Sequence, residues 1–73
     1  MAKTEFKAVI SSNILGIAYD EDTQTMQVEF TNGGVYKYDD VPQEVYEDFL
    51  NAGSPGSFFA NDIKGSYGYS RVR

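Results

Sequence analysis

Residues 25–38 read TMQVEFTNGGVYKY and predict a β-hairpin. The first six residues alternate apolar and polar side chains, which is the period-two pattern of a half-buried strand. The Thr-Asn-Gly-Gly segment at residues 31–34 accepts the positive φ angles that tight hairpin turns demand. The Val-Tyr-Lys-Tyr segment at residues 35–38 then supplies the second strand of the hairpin.

A further strand is predicted upstream of this hairpin. From Ile14 to Tyr19, large side chains alternate with the small residues Gly16 and Ala18. The polar segment 20–24 is turn-forming and joins this strand to Thr25. The prediction is therefore a three-stranded antiparallel meander.

Downstream, the apolar period changes from two to about 3.6, as in an amphipathic helix. A main helix is predicted from about Pro42 to Leu50, with Pro42 in the first turn, where its missing N–H has no helical partner. A short second helix is predicted from about Pro55, with Ser54 as its cap. The resulting fold class is α+β, with the three-stranded meander packed against the main helix. The side-chain pattern of residues 67–73 alternates again, which is compatible with either an extended segment or a fourth strand.

Composition excludes most chemistry. The 73 residues support one domain and contain neither histidine nor cysteine, so the commonest general base, thiolate nucleophiles and the usual transition-metal ligands are missing. Residues 20–31 superficially resemble a calcium loop, but the sixth position lacks glycine and the twelfth, Thr31, is no glutamate. We therefore predict no catalytic residue, no enzymatic activity, no metal site and no cofactor.

The chain offers no segment suited to a membrane or to export. No apolar run approaches the ~18 residues that a bilayer requires. Residues 1–7 are charged, but no apolar stretch of signal-peptide length follows them. The expectation is a soluble, cytoplasmic protein.

Charge is unevenly distributed along the chain. The net charge is −5, yet residues 8–48 hold nine carboxylates and one cation, whereas residues 49–73 hold three cations and one carboxylate. A net acidic surface repels polyphosphate at long range, which argues against a histone-like role. A local basic strip near the carboxyl end could still bind an anion.

Two tyrosines in the predicted third strand are candidate binding residues. Tyr36 and Tyr38 are two apart, so their rings project from the same face of the sheet. If that face lies under the helix, both rings belong to the core. If it is open, they form a platform on which nucleic-acid bases stack.

A second candidate site follows the main helix. The turn at residues 54–57 could bind an anion through its backbone N–H groups, with Gly56 allowing close approach, or it could be an ordinary cap. Lys64 and the basic tail could complete a phosphate pocket. The tail interleaves cations with aromatic rings, as single-strand binders do, although a solvated carboxyl terminus is equally compatible. These tail residues are Lys64, Tyr67, Tyr69, Arg71 and Arg73.

The combination of short motifs resembles one known family. Four short motifs occur in the order and spacing of KTSC domains: Ser11-Ser12, Tyr36-Lys37-Tyr38, Val41-Pro42 and the segment 54–59. These domains are named after the C-terminal extension of some lysyl-tRNA synthetases, and they are also found as stand-alone bacterial and phage proteins. The likeness runs from about Val9 to Val72. We assign residues 1–8 to an N-terminal tail and 9–73 to a single KTSC-like domain. The resemblance implies no established activity, although RNA binding has been suggested for such domains from the synthetase association.

Two hypotheses of function follow. The first is a small non-enzymatic module that binds RNA, single-stranded nucleic acid or a phosphorylated nucleotide. The second is a protein-interaction module or small homo-oligomer, which in a phage-encoded relative could bind a host factor. The first hypothesis uses Tyr36, Tyr38, Ser54, Gly56, Ser57, Lys64, Tyr67, Tyr69 and Arg71.

Overall fold

The computed structural model describes residues 6–9 and 11–73. Five strands and two α-helices follow one another in these residues, and the second helix continues into a π-helical segment. In chain order they are β1 Lys7–Ala8, β2 Ile14–Asp20, β3 Thr25–Phe30, β4 Val35–Tyr38, α1 Gln43–Asn51, α2 Pro55–Phe58, the π-helical segment Phe59–Ile63 and β5 Tyr69–Arg71.

The strands form one antiparallel sheet in the order β1-β2-β3-β4-β5. Strands β2 to β4 are the predicted meander, but the predicted total of three strands is wrong. The sheet gains an edge strand on each side, because Lys7 pairs with Ile17 and Arg71 pairs with Tyr36. Strand β5 lies within residues 67–73, for which the sequence left a fourth strand open, whereas β1 lies within the residues assigned to the N-terminal tail. Both are very short, so local periodicity alone does not establish them.

The turn between β3 and β4 has the predicted backbone chemistry. Gly33 adopts a φ of 93°, in the left-handed region that favours glycine. The Gly34 N–H donates to Asn32 Oδ1 at 2.9 Å, and the Phe30 N–H donates to the Gly34 carbonyl oxygen at 2.8 Å. These bonds fix the register in which β4 lies beside β3.

Helix α1 packs on one face of the sheet through Tyr46 and Phe49, which are both buried. The Tyr46 ring stacks on Tyr19 with centroids 4.8 Å apart, and the Tyr19 hydroxyl donates to the Val41 carbonyl oxygen at 2.5 Å. The helix begins one residue after Pro42 and ends at Asn51, close to the predicted bounds. The apolar stripe of α1 is therefore its contact with the sheet.

The second helix is short, as predicted, and it carries aromatic rings into the core. Phe58 stacks on Phe49 with centroids 5.3 Å apart. Phe59 lies edge-on to Phe30 at 5.3 Å and to Tyr38 at 5.7 Å. The π-helical segment ends at Ile63, and Gly65 follows with a φ of 85°, which turns the chain toward β5.

None of the helices among the described residues has both the length and the apolar character needed to cross a membrane.

Candidate ligand-binding site

Strand β4 points both of its tyrosines to the face of the sheet on which the helices pack. Tyr38 pairs with Met26 and Tyr36 pairs with Val28, and residues opposite each other in antiparallel strands share a face. Tyr38 is only 4% exposed and belongs to the core, whereas Tyr36 is half-buried at the rim. The shared face is therefore the one under the helices, as the first interpretation has it, although the Tyr36 ring is only partly covered there.

Burial changes the acidity of Tyr38. Desolvation, with smaller contributions from Tyr69 and Tyr36, raises the pKa of Tyr38 to about 12. The Tyr38 phenol is therefore neutral at any physiological pH.

Strand β5 adds a third tyrosine and an arginine to this face. Tyr69 lies opposite Tyr38, with ring centroids 5.7 Å apart, and 6.0 Å from the Tyr36 ring. Arg71 lies opposite Tyr36 and places its guanidinium carbon 5.9 Å from that ring's centroid, within cation–π range. Tyr69 is 62% exposed, so one ring of the cluster offers most of its surface to solvent.

These rings line a cavity of about 340 Å³. Phe59 begins the π-helical segment, and Lys64 and Gly65 follow that segment. We call this space the aromatic cavity; its lining includes Phe30, Tyr36, Tyr38, Phe59, Tyr69 and Lys64.

Two further cavities continue from the aromatic cavity. The central cavity, of about 480 Å³, shares Phe30, Asn32, Phe59 and Lys64 with it. The serine cavity, of about 430 Å³, shares Asn13, Gly56 and Ala60 with the central one. Its lining also contains Ser11, Ser12, Ser54 and Ser57. Because neighbouring cavities share lining residues, the three lie side by side in one row, from Tyr69 at one end to Ser54 at the other, and we call this row the groove.

The groove differs in charge from the rest of the molecule. The chain carries a net charge of −5, yet no residue lining the three cavities is acidic. Lys64 lies at the junction of the aromatic and central cavities, and its side chain makes no ion pair with any described residue. An anion in the groove would therefore meet one cation and no carboxylate among the lining residues.

The basic tail divides between the two faces of the sheet. Arg73 lies 3.8 Å from Glu29, which alternates with Val28 and so belongs to the face away from the groove. Arg71 remains beside Tyr36, and its Nε donates to the Arg73 carbonyl oxygen at 2.9 Å. Of the two tail arginines, Arg71 is the one that lies over a ring of the aromatic cavity.

The turn at residues 54–57 has a different arrangement from an ordinary cap. Ser54 makes no side-chain bond to the backbone of α2; its hydroxyl donates to Ser57 Oγ at 3.1 Å. Ser11 Oγ, from the segment before β2, accepts the N–H groups of Asn13 at 3.2 Å and Ile14 at 3.4 Å. A hydroxyl that accepts two bonds still has its own O–H to donate.

The predicted site residues are thus brought together in part. The aromatic cavity is lined by four of them: Tyr36, Tyr38, Lys64 and Tyr69. The serine cavity is lined by Ser54, Gly56 and Ser57, and Gly56 also lines the central cavity. Arg71 lies beside Tyr36. Tyr67 is half-buried against the core and is absent from the lining of all three.

Sequence reasoning missed several lining residues. Asn32 was assigned only to the hairpin turn, Phe30 only to a strand, and Phe59 only to a segment of the family likeness. Ser11 and Asn13 precede β2, far from the second helix in sequence. The Ser11-Ser12 pair was part of the family likeness, which was the one sequence signal that pointed to Ser11.

The described residues, 6–9 and 11–73, contain no cluster of three carboxylates or other metal-ligating side chains. The chemistry available in the groove is accordingly stacking, hydrogen bonding and attraction to anions.

A family model described as the KTSC domain matches residues 10–67. The crystal structure of a KTSC domain protein from Yersinia pestis superposes with a TM-score of 0.93 at 34% identity, covering 97% of this chain and all of that one. An uncharacterized protein from Stutzerimonas stutzeri is 38% identical over 66 residues, which are 89% of this chain and 93% of that protein.

Larger proteins also contain a similar segment. A lysine-tRNA ligase from Nostoc punctiforme is 41% identical over 61 residues, or 84% of this chain. The match covers only 11% of that ligase, so this chain is similar to a small part of it.

Proposed function

The chain belongs to the KTSC domain family, and from that premise we propose that it is a small non-enzymatic binding module for RNA, single-stranded nucleic acid or a phosphorylated nucleotide in the cytoplasm. The observation that carries the proposal is the aromatic cavity with Lys64 and Arg71 beside it, lined by no acidic residue in a chain of net charge −5. Such a site combines a surface for bases with charges for phosphate.

Each half of the proposed ligand has a partner in the cavity. Tyr69 and Tyr36 present aromatic surface on which a base can stack, and every base has a face suited to that contact. Lys64 and Arg71 supply the positive charge that attracts a phosphate. Asn32 engages its Oδ1 with the Gly34 N–H, which leaves its amide N–H groups to donate to an acceptor in the groove.

The side chains give no support to catalysis. The chain has no histidine or cysteine. Burial raises the pKa of Tyr19 as well as that of Tyr38, away from the range in which a phenol exchanges protons at neutral pH. Binding without chemistry is the activity that these groups support.

The similarity to part of a lysine-tRNA ligase favours RNA among the three ligand classes. That ligase is named for a tRNA substrate, although the matched segment is a small fraction of it. RNA is therefore the first probe to use.

A binding titration at two salt concentrations tests the proposal. Labelled single-stranded RNA, single-stranded DNA and a nucleoside triphosphate are each titrated with the protein. We expect at least one to bind at low salt and to weaken as salt rises, because phosphate contacts release counterions. No binding of any probe at low salt, or an affinity indifferent to salt, would contradict the proposal.

A second function is favoured by a different observation. Strand β5 lies at the edge of the sheet, with Tyr69 62% exposed and Val72 48% exposed beside it. Exposed edge strands with apolar side chains are surfaces to which another chain can add. The alternative proposal is a protein-interaction module or small homo-oligomer, and light scattering tests the oligomer. A monomeric mass at high protein concentration would contradict it.

A further inference from the structure

The groove continues beyond the place where one nucleotide ends. The aromatic cavity offers one stacking surface, and Lys64 lies at its far end, where the central cavity begins. A single base with its phosphate would occupy this part of the groove. The remaining central and serine cavities would then be empty, although they are the larger part of the groove.

The chemistry beyond Lys64 changes from aromatic to neutral and polar. In their hydrogen bonds within the fold, the Ser11 and Ser57 hydroxyl oxygens act as acceptors. Each hydroxyl therefore still has its own hydrogen to donate to a ligand. No acidic residue lines this end either. Hydroxyl donors without carboxylates among the lining residues suit the sugar and phosphate oxygens of a nucleic-acid strand that continues past Lys64. In nucleic-acid complexes, many phosphate contacts come from such neutral donors as well as from cations.

We propose that the groove binds a single strand of two to three nucleotides, with one base stacked in the aromatic cavity, a phosphate at Lys64 and the next sugar and phosphate in the serine cavity. The inference rests on the proposed function; among its three ligand classes it excludes the free nucleotide as the preferred ligand and gives the length of single strand that the groove holds. RNA and DNA share the chemistry that the groove recognises, and the experiment separates them.

Ala60 is the position at which the inference can be tested most directly. It is exposed and lines the groove where the central cavity meets the serine cavity. Asn61 is the next residue of the π-helical segment, is also exposed and lines none of the three cavities. Ala60→Leu obstructs the passage without adding charge, and Asn61→Leu is the matched control that adds a similar apolar side chain outside the groove.

The experiment measures the affinities of uridine monophosphate, oligouridylates of two, three and four residues, and the matching oligothymidylates at one low salt concentration. We expect the trinucleotide to bind about tenfold more tightly than the mononucleotide, as one added hydrogen bond to a charged group supplies. Ala60→Leu should reduce the trinucleotide to the affinity of the mononucleotide and leave the mononucleotide unchanged. Asn61→Leu should leave both unchanged. Ser57→Leu, an exposed position in the serine cavity, should repeat the effect of Ala60→Leu and guards against a variant that fails to fold.

The outcomes separate the inference from the proposed function. Equal affinity for the mononucleotide and every oligonucleotide would overturn the inference and leave the proposed function standing. A length dependence that both groove variants leave intact would also overturn the inference, because the strand would then leave the aromatic cavity by another route. Failure of every nucleotide to bind would overturn both, and so would equal binding of an oligoglutamate peptide. A stronger response to one of the two oligonucleotide series identifies RNA or DNA as the ligand.

Discussion

Replacing Lys64 by glutamine tests whether a phosphate is held at the junction of the aromatic and central cavities. The Lys64 side chain is exposed and makes no hydrogen bond or ion pair with any described residue. The substitution therefore removes a charge from the groove without removing a contact of the fold. We expect the free energy of unfolding to stay nearly constant.

The expected effect follows from the number of cations beside the groove. Two cations lie beside the aromatic cavity, since Lys64 lines it and the Arg71 guanidinium lies over the Tyr36 ring. If both contact phosphate, each contact on a single strand contributes about −0.7 to the slope of log K against log salt. The wild-type slope should be about −1.4, and that of Lys64→Gln about −0.7. Between about 50 and about 200 mM salt, wild-type affinity should fall about sevenfold and that of the variant about 2.6-fold.

Fluorescence anisotropy of a labelled single-stranded oligonucleotide, titrated at several salt concentrations, measures both slopes. Lys37→Gln is the matched control, because Lys37 alternates with Tyr36 and Tyr38 and so lies on the other face of the sheet. It changes the net charge equally and should leave the slope near the wild-type value. A slope that Lys64→Gln does not alter, or that Lys37→Gln alters as much, would refute local phosphate recognition at Lys64.

Three further results are expected. Tyr69→Ala should weaken oligonucleotide binding about fivefold or more, because one stacked base contributes about 1–3 kcal/mol. Tyr69→Phe keeps the ring and should bind as the wild type does. Identical anisotropy titrations for all three proteins would contradict stacking on this ring. Phe49→Ala should lower the free energy of unfolding in urea by about 3–5 kcal/mol, because Phe49 is fully buried, and a loss below about 1 kcal/mol would contradict its place in the core. The neutral Tyr38 phenol should stabilise the fold fully below pH 10.0, its ordinary pKa, and this stabilisation should be lost as the pH rises to about 12. Unfolding free energies across that window should therefore fall less for Tyr38→Phe than for the wild type, and parallel pH profiles would count against the raised pKa.

Much of the fold could be predicted from the sequence because its signals are local. The alternation in residues 25–30, the Asn-Gly-Gly turn and the change of period at Pro42 each act over a few residues, and each gave the observed element. The edge strands could not be established in this way, although the alternation in residues 67–73 left a strand open there. Strand β5 has only three residues, and it is held in place by pairing with Tyr36 and Tyr38 after two helices have intervened.

The candidate site was predictable in its residue types and not in its arrangement. Tyr36, Tyr69 and Lys64 were singled out because tyrosines and cations are the groups that bind bases and phosphate, and they do line one cavity. Arg73 was grouped with them by its place in the tail, but its guanidinium lies 3.8 Å from a Glu29 carboxylate oxygen instead. The groove's opposite wall, from Ser11 to Asn13, joins the serine turn only through the folding of β2 against the helices.

The amino-acid sequence by itself determined the antiparallel meander, the two helices and the likeness to the KTSC family, because these follow from patterns of neighbouring residues. It also determined the absence of histidine and cysteine chemistry, because that follows from composition alone. The tertiary structure alone decided that Tyr38 is core while Tyr36 and Tyr69 form a rim, and that Lys64 and the serines share one groove without an acidic residue. The physical reason is that alternation along a strand decides only which side chains share a face of the sheet. How much of that face the helices cover depends on where Phe49 and Phe59 pack, and this is decided by contacts between residues distant in sequence.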